Sequence, residues 1–233
     1  MTDPLAILYA DAHIAVVDKP AGVIVHESRL AGAETDTLVA RVRAELGRPA
    51  WLAHRLDRAT SGCLLLGLDR ALMASLGAGF MERQVDKRYL AVVRGWPEPE
   101  GVIDHPLDGG PGKPDRRPAI TRYRVLACAG LPIAVPPHPS ARYALLECQP
   151  ETGRFRQIRR HLKHIHHHLV GDTSHGDGRH NRVFRQLGIH RMLLHAWRLS
   201  FLHPVTGARL SVTAPPTGEF ARAHAILGCT LPP

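Results

Sequence analysis

Trp51-Leu-Ala-His-Arg-Leu-Asp-Arg-Ala-Thr-Ser-Gly62 is polar and turn-prone, and it runs directly into the apolar Cys63-Leu-Leu-Leu-Gly-Leu68. This reads as a loop delivered onto a short buried strand. Upstream, Tyr9 to Gly22 begins as an apolar strand and ends in a Pro-Ala-Gly turn. Thr37 to Leu46 carries Leu38, Val42 and Leu46 at helical spacing, with Gly47 as a stop. Downstream, Ala71 to Arg83 predicts a helix that tolerates Gly77 and Gly79, and Lys87 to Gly95 predicts a strand. Pro97 to Pro118 is rich in Gly and Pro, contains Arg116-Arg117 and reads as an exposed loop. Strands are expected at Ile120–Cys128 and Tyr143–Cys148, joined by the Pro-rich Leu131–Ser140.

Glu151-Thr-Gly-Arg154 opens the clearest helix, with an apolar stripe of Phe155, Ile158, Leu162, Ile165 and Leu169. Strands around Met192–Phe201 and Arg209–Ala214 and a short helix at Phe220–Ile226 complete the pattern. Strands and helices mix without βαβ alternation, which predicts an α+β fold with a largely antiparallel sheet. No domain boundary stands out, so residues 1–233 are expected to form a single domain.

The 233 residues include 30 Lys plus Arg against 21 Asp plus Glu, a net charge of +9. A polyanionic partner follows, nucleic acid before anionic membrane. The charge is clustered as well. Between Glu151 and Arg209 lie eleven Lys or Arg, three acids and ten of the sixteen histidines. No apolar run approaches the roughly 18–20 residues that span a bilayer. Met1-Thr2-Asp3-Pro4 lacks the basic and apolar regions of a signal peptide, which predicts no export. Cys63, Cys128, Cys148 and Cys229 form no CxxC pair, and a protein of this size needs no disulfide staples. They are expected to be reduced and mostly buried, in a cytoplasmic protein.

Four constellations bear on chemistry. Asp57 sits between Arg55 and Arg58, whose charges favour its carboxylate form. It suits a nucleophile or base, and equally a residue that caps a turn. Around Thr152–Lys163, Arg156, Arg159, Arg160 and Lys163 lie off the apolar stripe, where guanidinium forks suit phosphates. Arg159, next to the stripe, is a candidate to point at an active-site carboxylate. His161, His164, His166, His167, His168, His175 and His180 include pairs at helical spacing, but no acid or thiol completes a zinc set. Polar helix surface and RNA-backbone contacts suit them better than a metal, and none is expected. Tyr89, early in its strand, is a packing residue or a face on which an extruded base stacks. No Walker loop, dinucleotide fingerprint or Gly-x-Ser-x-Gly occurs, so NTPase, dinucleotide and α/β-hydrolase chemistry lack support.

In this order, Val17-Asp-Lys-Pro-Ala-Gly-Val23, His54-Arg-Leu-Asp-Arg-Ala-Thr-Ser-Gly62, Lys87-Arg-Tyr89, Thr152-Gly-Arg-Phe-Arg-Gln-Ile-Arg159 and Leu194-His195 resemble the RluA-type pseudouridine synthase family. The resemblance implies a bent, mixed, mostly antiparallel sheet flanked by helices, with a basic RNA cleft and no S4 module. It implies an isomerase that detaches uracil from C1′, turns it and rejoins it through C5, without metal or cofactor. Asp57 matches the catalytic aspartate and Arg55 the arginine that fills the space of the flipped uridine. Tyr89 matches the tyrosine stacked on the target base, and Arg159 the arginine that pairs with the aspartate. Arg58, Arg154, Arg156, Arg160 and Lys163 are expected RNA contacts.

Gly171–Arg182 and Arg159–His164 are most similar to members that act on tRNA, which implies uridine 65 of a tRNA and a monomeric enzyme. Ribosomal RNA is the alternative substrate. A non-catalytic RNA-binding protein is the alternative of another class, and a zinc hydrolase built on the histidines is a third. The chain departs from the family at Arg156, where His is common, and before Gly171-Asp172, where Pro is common.

Overall fold

A computed structural model describes residues 5–26 and 36–229. Met1 to Pro4, on which the expectation of no export rests, lie outside the described residues. In chain order the elements are β1 (Ile7–Ala10), β2 (Ile14–Lys19), α1 (Leu38–Leu46), β3 (Trp51–Leu52), β4 (Ser61–Gly67), α2 (Met73–Met81), β5 (Asp86–Arg94) and β6 (Glu100–Asp104). They continue with β7 (Ile120–Leu131), β8 (Ala141–Pro150), α3 (Gln157–His164), α4 (Gly178–Gln186), β9 (Leu194–Leu202), β10 (Arg209–Thr213) and α5 (Gly218–Ile226). Among the described residues no helix is long and apolar enough to cross a membrane.

The chain divides into two compact units, one of Met1–Lys87 with Ala196–Pro215, the other of Arg88–His195 with Pro216–Pro233. Neither is a continuous stretch. In the first, β2 pairs antiparallel with β1 and β4, β3 adds to β4, and β10 pairs antiparallel with β9. Every residue of β4 is buried, as its apolar run requires. Ile14, Val16, Cys63, Leu65, Leu76, Leu199 and Phe201 form the core of this unit. Gly62, at φ 107°, has no room for a side chain, because a Cβ there falls 2.2 Å from the Ala196 carbonyl oxygen. In the second unit β8 pairs with β5 on one side and β7 on the other, with β6 beyond β7, all antiparallel.

These antiparallel pairings and interspersed helices are the α+β arrangement the pattern predicts. Several boundaries differ. Tyr9–Gly22 holds a hairpin end rather than one strand, because the Asp11 carboxylate accepts from the backbone N–H of His13 and Ile14 and turns the chain. Trp51-Leu52 opens the polar stretch as a strand rather than a loop. Glu100–Asp104, inside the expected exposed loop, is an edge strand that buries only Ile103. Helix α3 is half as long as the stripe suggests. Arg156 at φ 51° and His166 at φ 62° bound it, Phe155 lies exposed ahead of it, and Leu169 bridges to Val93 beyond it. Helix α4, capped by the Asp177 carboxylate on Arg179 N–H, carries no apolar period and is not predicted. Cys63, Cys148 and Cys229 are buried and Cys128 exposed, all as free thiols.

Gly62→Ala is expected to cost about 2–4 kcal/mol of stability, because both φ and the adjacent carbonyl reject a methyl group. Urea denaturation measures it, and a loss under about 1 kcal/mol contradicts the packing described.

Candidate active site

The first unit carries the loop from Ala53 to Thr60, with Arg55 and Arg58 exposed and Asp57 half-buried. Its backbone is held from below by Lys19. That side chain is fully buried at the end of β2, and its Nζ donates to the carbonyls of Pro20 (2.8 Å), Arg58 (2.9 Å) and Thr60 (2.8 Å). A buried ammonium is tolerated only when its protons are bonded, and here the acceptors bracket the turn that carries Asp57. Within that turn Thr60 N–H donates to the Asp57 carbonyl. Arg58 and Gly22 exchange two bonds, guanidinium Nε to the Gly22 carbonyl and Gly22 N–H to the Arg58 carbonyl, both 2.8 Å. The Arg58 guanidinium thus fastens the loop to the Pro-Ala-Gly turn.

His54 is a structural acceptor. Leu65 N–H donates to its Nε2 at 3.1 Å, and its ring lies 4.8 Å from that of Phe80. Burial, and then the nearby Lys87 charge, push its pKa down to about 3, so the ring is neutral.

In the second unit Tyr89 lies half-buried on β5, opposite Cys148 of β8. Arg88, on the other face of the strand, pairs with the buried Glu147 (2.6 Å). The Thr152–Arg159 segment is knit by Gln157. Its amide nitrogen donates to the Ile120 carbonyl (2.9 Å) and to Thr121 Oγ1 (3.0 Å). Its Oε1 accepts from Thr152 Oγ1 (2.6 Å) and Arg154 N–H (2.9 Å). Both ends of the amide are saturated, so Gln157 fixes the approach to α3.

Arg159 is buried and forks onto Asp172, Nε to Oδ2 at 2.6 Å and Nη2 to Oδ1 at 2.8 Å. Asp172 Oδ1 also accepts from Ser174 and His175 N–H. Burial acts to raise the Asp172 pKa, but the Arg159 bond and these N–H donors outweigh it and hold the carboxyl below its usual range. Asn181 closes the loop, accepting from Gly171 N–H and donating to the Asp172 carbonyl.

The remaining cations divide. Arg160 pairs with Asp108 (2.6 Å) and donates to its carbonyl (3.0 Å). Arg154 Nε donates to the Pro118 carbonyl (3.1 Å). Arg156 stacks its guanidinium 4.8 Å from the Phe155 ring, and Lys163 is exposed.

The histidines divide, with His164 and His166 exposed as polar surface and others bonded within the protein. His161 is fully buried, its Nε2–H donating to the His105 carbonyl (3.0 Å) and its Nδ1 accepting from Thr121 Oγ1 (2.9 Å). His167 and His168 donate to the Arg94 and His175 carbonyls. Among the described residues no group of three His, Cys, Asp or Glu is placed to hold a metal ion. Sequence reasoning missed Lys19, Gln157 and Asp172 as positioning residues. A lysine followed by Pro-Ala-Gly and an acid three residues before His-Gly were the available signals.

A family model described as RNA pseudouridylate synthase matches residues 13–164. The chain belongs to the RNA pseudouridylate synthase family. Members of this family are isomerases. The tRNA pseudouridine synthase C of Vibrio parahaemolyticus is 41% identical over 220 residues, covering 90% of this chain and 89% of the relative. That of Pectobacterium carotovorum is 44% identical over 220 residues, and the chain spans 58% of its length. Among solved structures, Human RNA Pseudouridylate Synthase Domain Containing 4 has a TM-score of 0.76 at 25% identity, covering 98% of this chain and 95% of that one. Domain Containing 1 has a TM-score of 0.71 at 28% identity, covering 91% and 83%. The synthase motifs thus coincide with the two braced segments, the Lys19-held loop and the Gln157-knit entry to α3.

A neutral His54 in the fold gives a signed pH dependence. Its folded pKa lies below the unfolded value of about 6.5, so its stabilisation is present above pH 6.5 and lost as pH falls toward 3. Urea denaturation at pH 7 and pH 5 is expected to show a loss of about 1–2 kcal/mol, partly flattened in His54→Gln. Lys19→Met, which removes the ammonium and orphans its carbonyls, is expected to cost about 3–5 kcal/mol. A wild-type thermal midpoint in that variant is incompatible with the brace.

Proposed function

We propose that this chain isomerises a uridine of tRNA, at position 65, to pseudouridine, with Asp57 as the reacting carboxylate. The observation that carries the reading is the match to enzymes named tRNA pseudouridine synthase C across 90% of the chain. The motif residues behind it are the ones the brace on the loop and the amide network on α3 hold in place. Residues 1–233 act in this reading as one catalytic domain, a cytoplasmic monomer.

The reaction breaks the N1–C1′ bond and forms C5–C1′, while C5 loses a proton and N1 gains one. Atoms and electrons balance within the substrate, so the chemistry asks for no redox partner. The Asp57 carboxylate adds to C6 of the ring or acts at C1′, and both routes use the same group. Extrusion of the base costs a few kcal/mol, offset by Arg55 in the vacated space and Tyr89 against the ring. Tyr89 is also the acceptor for the C5 proton. Arg159 opposes protonation of Asp57 when RNA covers it. Arg58, Arg154, Arg156, Arg160 and Lys163 supply charge to the backbone, so affinity falls steeply with salt.

Tritium release from RNA labelled at uracil C5, with tRNA and ribosomal RNA assayed separately, tests the reading. Release is expected from tRNA alone and is abolished by Asp57→Ala, which retains tRNA affinity within about twofold, since the carboxylate makes no backbone contact. Release from ribosomal RNA alone overturns the substrate. Equal loss of binding and turnover in Asp57→Ala overturns the assignment of Asp57.

A further inference from the structure

Among the described residues, two buried side-chain polar atoms have no hydrogen-bond partner, Arg94 Nε and His175 Nε2. The Arg94 guanidinium is paired through another nitrogen, Nη1, which lies 3.7 Å from Asp177 Oδ2. The His175 ring has no such pairing, while its backbone is pinned on both sides. Its N–H donates to Asp172 Oδ1 (2.9 Å) and its carbonyl accepts from His168 Nδ1 (2.9 Å). Gly176, the next residue, leaves no slack, because a Cβ there falls 2.1 Å from the Asp172 carbonyl oxygen.

The charges around this ring are nearly all positive. Arg159, Arg156 and Lys163 lie within electrostatic reach of it, with Asp172 as the opposing acid. Arg159 and Lys163 are spaced i and i+4 on α3, one turn apart, and Arg156 is the residue that caps its start. Arg159 has its Nε edge committed to Asp172. Arg156 and Lys163 form no ion pair among the described residues. Arg156 is held in the left-handed region at φ 51°, an unfavourable conformation for a residue with a Cβ. A buried imidazole nitrogen without a partner, on a pinned backbone and near two cations that no acid neutralises, suits a ligand that is anionic and rich in acceptors.

We propose that the His175 ring turns on its pinned backbone when RNA binds and that its Nε2–H, covered in the free protein, then donates to a phosphodiester oxygen, in a subsite completed by Arg156 and Lys163. The proposal rests on the reading of the chain as an RNA-modifying enzyme and names one of its substrate contacts. The phosphate lies beside the α3 end of the second unit. It supplies the acceptor that the imidazole lacks, and burial, with the surrounding cations outweighing Asp172, favours the neutral ring, so that its donor is a hydrogen bond rather than a charge.

This distinction sets the test. His175→Phe keeps a ring and removes the nitrogen. Its thermal midpoint is expected to equal or exceed that of the wild type, since an unpartnered polar atom is gone. Its tRNA Kd is expected to rise about 5–10-fold with the salt slope unchanged, because a neutral donor releases no counterion. Arg156→Gln is expected to weaken binding and to lower the slope of log K against log salt by about 1. His175→Gln, which restores a donor, recovers part of the affinity. Imidazole ¹⁵N NMR of the wild type is expected to show the Nε2 resonance shifting on tRNA addition.

Wild-type tRNA affinity in His175→Phe overturns the proposal. So does a resonance that responds to inorganic phosphate while that variant binds tRNA normally, since the site is then one for free anions. If no RNA releases C5 tritium but His175→Phe still weakens tRNA binding, the subsite stands and the isomerase reading falls.

Discussion

The buried Lys19 ammonium is the constraint on which the Asp57 loop depends. A polar loop of this kind has few apolar side chains with which to anchor itself. Its shape must come from backbone hydrogen bonds, and Lys19 gathers three carbonyls, two of them within the loop at Arg58 and Thr60. A cation suits this task because carbonyl oxygens converge on it from several directions, where an N–H group serves one. The cost of burying the charge is met by those oxygens, so the ammonium and the loop are stable only together. Gly62 closes the same region by letting β4 run against the Ala196 carbonyl. Asp57 is thereby carried on a turn whose backbone Lys19 holds.

The second unit solves the same problem with an amide and an ion pair. Gln157 saturates both ends of its side chain on the strands and loop before α3. Arg159 is oriented by Asp172, whose own oxygens are bound by two N–H groups. A guanidinium forked onto a carboxylate has one permitted direction, where an exposed arginine has many. The family motif Gln-Ile-Arg therefore contains one residue that fixes the loop, one that packs in the core and one that is aimed.

How much of this was legible in the sequence depends on whether the signal is local. Strand β4 and helix α1 were readable because an apolar run, an N-cap at Thr37 and a stop at Gly47 lie within a few residues. The residues matched to the family's site were readable because they fall in short motifs. Helix α4 was not, since Val183 and Phe184 are adjacent and give no period, and its one cue was the cap at Asp177. The long stripe from Phe155 to Leu169 misled because periodicity in sequence says nothing about backbone sign. Two residues at positive φ cut it to eight. Strand β6 hid among Gly and Pro because an edge strand needs only one buried residue, Ile103. The partners of Lys19, Gln157 and Arg159 lie up to 41 residues away, beyond any local pattern.

The histidines and arginines of Glu151–Arg209 make a broader point about charge as a guide to function. The net surplus suggests a surface committed to polyanion, yet much of it is spent inside the protein. Arg159 and Arg160 each hold an aspartate, His161 is a buried neutral link, and His167 and His168 bond to carbonyls. A residue already bonded in this way can meet RNA only by giving up a partner or by sharing one. Arg156 and Lys163, like Arg182 and Arg185 of α4, have no acid partner among the described residues. Composition counts every basic residue alike, whereas recognition draws first on those the fold has left uncommitted. The start of α3, with Arg156 at its N-cap and Lys163 exposed on its last turn, is one place where the positive charge of the second unit is available to a phosphate.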